Sequence, residues 1–266
     1  MIHGPFKQDV PTKAISAGYR DGDRGTHTSR TMMLSELREM LELTNPKSTK
    51  DAYFSAIVDD NILGKQTLAT RQLTSQRLSE LYGLSPDIPL FRALRVVWEH
   101  DPEGLPLSAL LVALARDPLL RLSAQCILNL EYGSELVRTQ LLAVLRSGVG
   151  DRLSDATLDK VARNVSSSWT QSTHLIGRVR KVRQRVEPSH GPVALAMWMG
   201  HCEGLGGASL LSSSWCRILD HHGEGLIPMV LRAKQQGLLH AAIGGGVVEI
   251  NAQKLDAAFY DVEANS

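Results

Sequence analysis

The chain is poor in cysteine and in aromatic residues and has no long apolar run, and each shortage excludes something. Cys126, Cys202 and Cys216 are the only cysteines among 266 residues. An odd number at wide spacing makes no disulfide framework and points to a reducing, cytoplasmic setting. Aromatic side chains are 5% of the chain against 43% hydrophobic residues overall, a balance rich in Leu and Ala that favours helix and argues against an all-β sandwich. Charges interrupt every apolar stretch short of the roughly 18 residues that a membrane span needs. The opening MIHGPFKQD lacks the apolar centre of a secretory signal. No membrane partner is expected.

Catalytic and metal motifs are missing too. His201, Cys202, Cys216, His221 and His222 show neither Cys-x-x-Cys nor His-Glu-x-x-His spacing, so no metal is expected there. Gly204, Gly206 and Gly207 faintly suggest a dinucleotide fingerprint, but no strand precedes them and no βαβ pattern surrounds them; they read as a loop, and no cofactor is expected. The serine runs Ser166, Ser167, Ser168 and Ser212, Ser213, Ser214 lie in no Gly-x-Ser-x-Gly elbow, and spacing suggests no His and acid partners for them. They read as helix-surface and capping residues. With its carboxylates scattered, the chain is expected not to be an enzyme.

What is present is a succession of helical patterns. Residues 29–43 place Met33, Leu34, Leu37, Met40 and Leu41 on one face; a second helix opens at Ser48 or Thr49 with Tyr53, Phe54, Ile57 and Val58 inward; a third opens near Thr67 with Leu68, Leu73, Leu78 and Leu81 as its stripe. Prolines mark helix starts at 89, 106 and 118, followed by a helix over 134–146. Ser154 caps a helix predicted over 155–174. Residues 226–236 form a helix closed by Gly237, and 238–250 read as strand, three-glycine turn, strand. A helix followed by a glycine-tipped hairpin is the outline of a winged helix.

The expected fold is mainly α: a helical-bundle scaffold with helix-turn-helix or winged-helix-like units and short β-hairpin wings. It divides as a flexible arm (1–28), an N-terminal helix-turn-helix-like domain (29–84), a helical scaffold (85–150), a helix-turn-helix-like unit with a basic segment (151–190) and a C-terminal winged-helix-like domain (191–266).

Net charge is only +1, yet it is unevenly distributed. Residues 160–186 hold Lys160, Arg163, Arg178, Arg180, Lys181, Arg183 and Arg185 and no Asp or Glu. Cations this dense repel one another unless solvated or set against an anion, and duplex DNA presents a regular phosphate array. The bias to Arg suits bidentate contacts. Gln171 and Thr173, just before the run, are of the type that touches base edges or backbone, and Arg71 and Arg77 on the third helix offer a second contact patch. The competing reading is a solvated face that pairs with the protein's own acids. The Val spacing of 177–186 fits either a short strand or a helix. Double-stranded DNA is the expected partner; a protein-interaction scaffold within a larger complex is the alternative.

Three segments carry a resemblance: TLATRQLT at 67–74, PLFRAL at 89–94 and WTQSTHL at 169–175 leading into the basic run. In these and in layout over residues 30 to 250 the chain resembles the small helical BrxA-type proteins of bacterial BREX phage-defence systems. That resemblance implies a non-catalytic, helix-turn-helix-bearing DNA binder acting beside other defence-system proteins, and it transfers no individual residue role.

Overall fold

The computed structural model describes residues 10–244 and 247–257. Local signals set most helix starts. Thr49 accepts the N–H of Ala52 to open α3 (Lys50–Val58), Thr67 that of Thr70 to open α4 (Leu68–Tyr82), and Ser154 that of Thr157 to open α9 (Asp155–Gln171). Proline in the first turn, where its missing N–H costs nothing, starts α5 (Pro89–His100), α6 (Leu105–Arg116) and α7 (Pro118–Leu128), and Asp117 caps α7 through the N–H groups of Leu119 and Leu120. The remaining helices are α1 (Thr12–Ser16), α2 (Leu34–Leu43), α8 (Arg138–Val149), α10 (His190–Cys202), α11 (Ser214–Ile218), α12 (Ile227–Gln235) and α13 (Lys254–Ala257).

Helices α6 and α10 are apolar on every side and buried along nearly their whole length, as an all-round hydrophobic helix must be. Helix α10 packs on α5, α6, α11 and α12, and α6 on α4, α5 and α7. The result is one continuous cluster of buried residues from Ala14 to Leu255. It crosses every boundary drawn from the sequence, so the five segments share a core.

Among the described residues, two antiparallel strand pairs complete the fold. In the first, β1 (Leu175–Ile176) pairs with β2 (Val182–Arg183), Ile176 opposite Val182. Residues 133–136 flank the other edge of β2: Glu135 bridges Val182, Leu136 donates to the Lys181 carbonyl at 2.8 Å, and Arg183 donates to the Ser134 carbonyl at 2.9 Å. The path α7, strand-like 133–136, α8, α9, β1, turn, β2, with the last strand in the middle, is that of a winged helix. The second pair, β3 (His240–Gly244) with β4 (Val247–Asn251), follows α10, α11 and α12 in the same way. There the 3-10 segment Gly207–Ser212 packs on β4 in place of a first strand. Residues 245 and 246 of the expected glycine tip lie outside the described residues.

Several expectations are corrected. Of the arm expected over 1–28, residues 1–9 lie outside the described residues, but from Thr12 on the segment is built into the fold: Ala14, Tyr19 and His27 are buried, and Tyr19 donates to the Met199 carbonyl. The helix expected from residue 29 begins at Leu34, after an irregular stretch in which Met32 is buried and Met33 is left-handed at φ +53°. Residues 134–137, read as a helix start, are drawn into extended form by the hydrogen bonds to β2. Phe54 and Leu68, assigned to apolar faces, are exposed, while Tyr53, Ile57 and Val58 on α3 and Leu78 and Leu81 on α4 are buried.

Candidate nucleic-acid interface

The basic segment is a wing. Gly177, at φ +101°, makes the tight entry to its tip, where a Cβ would meet the Arg180 carbonyl oxygen at 2.0 Å. Arg178, Val179 and Arg180 form the tip, with Val179 91% exposed. Strand alternation then separates the cations. Arg178 is exposed and has no hydrogen-bond or ion-pair partner among the described residues. Arg180 pairs with Glu135 at 2.8 Å, and that carboxylate raises its pKa further. Lys181 lies against α9, donating to Thr170 Oγ1 at 2.7 Å, and partial burial lowers its pKa. Arg185 is exposed, 3.9 Å from Glu187.

Arg183 is a correction. It points inward and is 1% exposed. Its guanidinium is paired with both oxygens of Asp220, donates to the Ile127 carbonyl at 3.0 Å and lies over the Tyr132 ring at 5.1 Å. Asp220 Oδ2 also accepts the N–H of Val186 at 3.0 Å. This is a fully satisfied internal ion pair, and Arg183 has no face left for phosphate.

Helix α9 presents a stripe comprising Asp155, Ala156, Asp159, Lys160, Arg163, Ser167 and Thr170. Its leading end is acidic. Asp155 pairs with Arg146 and Asp159 with Arg138; Arg163 lies 3.8 Å from Asp159. The hydrogen bond from Arg138 holds the Asp159 carboxyl below the usual range. The adjacent face is covered by residues 26–32, which run along it as a strap: Asn164 donates to the His27 carbonyl at 2.8 Å and Gln171 Nε2 to Thr31 Oγ1 at 3.2 Å. Gln171 is therefore committed within the protein. Thr173 is exposed in the left-handed region at φ +66°.

The second patch does not form. Arg71 is half-buried and donates to the Val58 carbonyl at 2.9 Å, and Arg77 pairs with Glu80 at 2.7 Å. Both brace α4 from within.

One constellation escaped the sequence. His27 Nδ1 is 2.8 Å from Asp117 Oδ2 and His27 Nε2 is 2.8 Å from Ser168 Oγ, the connectivity of a nucleophilic triad. The surroundings argue for a structural role. All three side chains are buried, Ser168 Oγ also accepts the N–H of Met32 at 2.8 Å and bonds the Asn164 carbonyl at 3.1 Å, and Asp117 caps α7. The serine oxygen is thus enclosed by backbone, and the network fastens the strap to α7 and α9. Ser168 is a core residue, not the surface or capping residue expected. Its partners lie 141 and 51 positions away, which no local spacing reveals. Among the described residues no cluster of three or more His, Cys, Asp or Glu is placed to hold a metal, and no helix is long and apolar enough to cross a membrane.

Charge distinguishes the winged units. Residues 118–186 carry eleven basic and five acidic residues, a surplus of six in a chain whose total is +1, whereas 190–251 carry three basic and four acidic. Comparison with protein-family models and with curated proteins finds no match.

Proposed function

We propose that the chain is a non-catalytic DNA-binding protein that meets duplex DNA through the winged unit 118–186. The wing residues Arg178, Arg180, Lys181 and Arg185 and the α9 residues Lys160 and Arg163 supply the phosphate contacts. The observation that carries this reading is the positive surplus of one winged unit, five charges once buried Arg183 is set against Asp220, with its exposed cations on the wing and the adjoining helix stripe. A polyanion responds to such local potential and is insensitive to a near-neutral total beyond a Debye length of about 8–10 Å. The resemblance to BrxA-type proteins suggests the setting, an accessory protein of a BREX-like phage-defence system working beside other defence proteins in the cytoplasm.

The C-terminal unit, of the same path but one charge negative, favours a second role for that half of the chain, as a scaffold that docks protein partners. Winged helices serve both purposes.

The test is a titration of random duplex at several salt concentrations. Affinity is expected to fall steeply with salt, and the double variant Arg178→Ala, Arg180→Ala to flatten the log–log slope by about one to two units, near 0.9 per lost phosphate contact. An unchanged slope would remove the reading. For the scaffold role, partners captured from the native operon should survive nuclease treatment.

A further inference from the structure

The winged unit holds its helix and its wing in unequal readiness for a groove. A helix-turn-helix reader enters the major groove with the N-terminal residues of its second helix foremost. Here that end carries Asp155 and Asp159, whose carboxylates are engaged by Arg146 and Arg138 and oppose phosphate. The side chains of α9 best suited to reading adenine edges, Asn164 and Gln171, are spent on the strap, at the His27 carbonyl and Thr31. Thr170 is occupied by Lys181. Beyond its acidic end, what α9 leaves toward solvent is half-buried Ser167 and exposed Lys160 and Arg163, the last 3.8 Å from the Asp159 carboxylate.

The wing tip is the opposite case. Arg178 is exposed and Arg180 is 79% exposed despite its contact with Glu135, and between them Val179 stands almost wholly in solvent. A two-residue ladder closed by Gly177 is narrow, and the minor groove is only about 6 Å wide. Narrow A·T-rich minor grooves concentrate negative potential that draws inserted Arg, and apolar side chains contact the groove floor or wedge between base steps. An arginine, a bare valine and an arginine in succession match both demands.

Building on the DNA-binding reading above, we infer that the wing, and not helix α9, enters the duplex, and that it enters the minor groove at A·T-rich sequence with Arg178 and Val179 leading. Helix α9 then lies over the backbone, Lys160 and Arg163 against phosphate.

The experiment is fluorescence anisotropy of the full chain with two labelled 20-base-pair duplexes, one centred on an A-tract and one G·C-rich, at one salt concentration. Netropsin serves as a minor-groove competitor, and a duplex whose A-tract thymines are replaced by glucosylated hydroxymethyluracil blocks the major groove. The A-tract duplex is expected to bind about tenfold more tightly; netropsin should displace the protein and the major-groove sugar leave binding intact. Arg178→Ala and Val179→Asp should each erase the preference with an unchanged circular dichroism spectrum, since both side chains are in solvent. Equal affinity for the two duplexes, or a complex that resists netropsin and is abolished by the sugar, overturns the inference while leaving duplex binding standing. Failure to bind either duplex, or tighter binding to single-stranded RNA, defeats the DNA-binding reading itself.

Discussion

Arg178 and Arg183 are five positions apart in one basic run, and the fold gives them opposite roles. Arg183 is held by Asp220, 37 residues further along the chain, in a buried pair whose remaining donors and acceptors are met by Ile127 and Val186. Removing one member of such a pair leaves an uncompensated charge, so Arg183→Ala is expected to lower unfolding stability by about 3–5 kcal/mol. Arg178→Ala should change it by no more than about 0.5 kcal/mol. Urea denaturation of the two variants checks this, and similar losses for both would contradict the assignment. The density of arginine was legible in the sequence; which arginines remain in solvent was not, because their partners Glu135, Asp220 and Glu187 lie outside the acid-free stretch. His174 gives a second test at this scale. It is buried, its Nε2–H donates to the Ile218 carbonyl at 2.7 Å, its Nδ1 lies 2.9 Å from Ser172 Oγ, and burial lowers its pKa to about 4. Between pH 6.5 and 4 the unfolded chain takes up a proton that the folded one refuses, so stability present above pH 6.5 is lost as pH falls, up to roughly 3 kcal/mol from this residue. The urea midpoint of His174→Gln should decline less over that interval than that of the parent protein.

At the scale of elements, legibility divides by the range of the hydrogen bonds. Thr49, Thr67, Ser154 and the prolines at 89 and 118 act within three or four residues, and the helices they open begin where the sequence places them. The third strand-like segment at 133–136 and the strap at 26–32 escape because their partners are remote: Lys181 and Arg183 for one, Asp117, Asn164 and Ser168 for the other. Helix propensity in Ser134-Glu-Leu-Val yields to a ladder with β2, and a Gly- and Thr-rich lead-in that reads as loose is fastened by one buried histidine. The strap yields a prediction of its own. Ser168→Ala leaves the Met32 N–H and one ring nitrogen of His27 without their buried partner, a cost of about 1–3 kcal/mol. Because the loss falls on one segment, hydrogen exchange of the Met32 amide should quicken more than that of amides in α6. Uniform quickening across both would mean that the strap opens only when everything does.

At the scale of the whole molecule, two properties that a sequence of alternating helices and loops disguises decide behaviour. One is the sharing of the core. Helix α10 follows the winged unit in the chain yet packs on α5 and α6, which precede it, and Tyr19 reaches the Met199 carbonyl across 180 residues. Linear segmentation cannot see such contacts, and so it divides what packing joins. The other is the partition of charge: six positive in 118–186, balanced by five negative in the rest of the chain. On the DNA-binding reading proposed above, the positive wing is carried by a body whose net negative charge opposes a polyanion elsewhere. A shared core also sets the manner of unfolding. Trp98 lies against α2 through Arg38, Trp169 is in the winged unit, and Trp198 and Trp215 are in the C-terminal half. If α6 and α10 bind these regions into one cooperative unit, tryptophan fluorescence and far-ultraviolet circular dichroism should trace a single coincident urea transition, and Arg183→Ala should shift both curves equally. Separate midpoints for the two probes would mean that the winged unit can let go of α10 on its own, and the wing would then be presented by a smaller and less negative body than the one described.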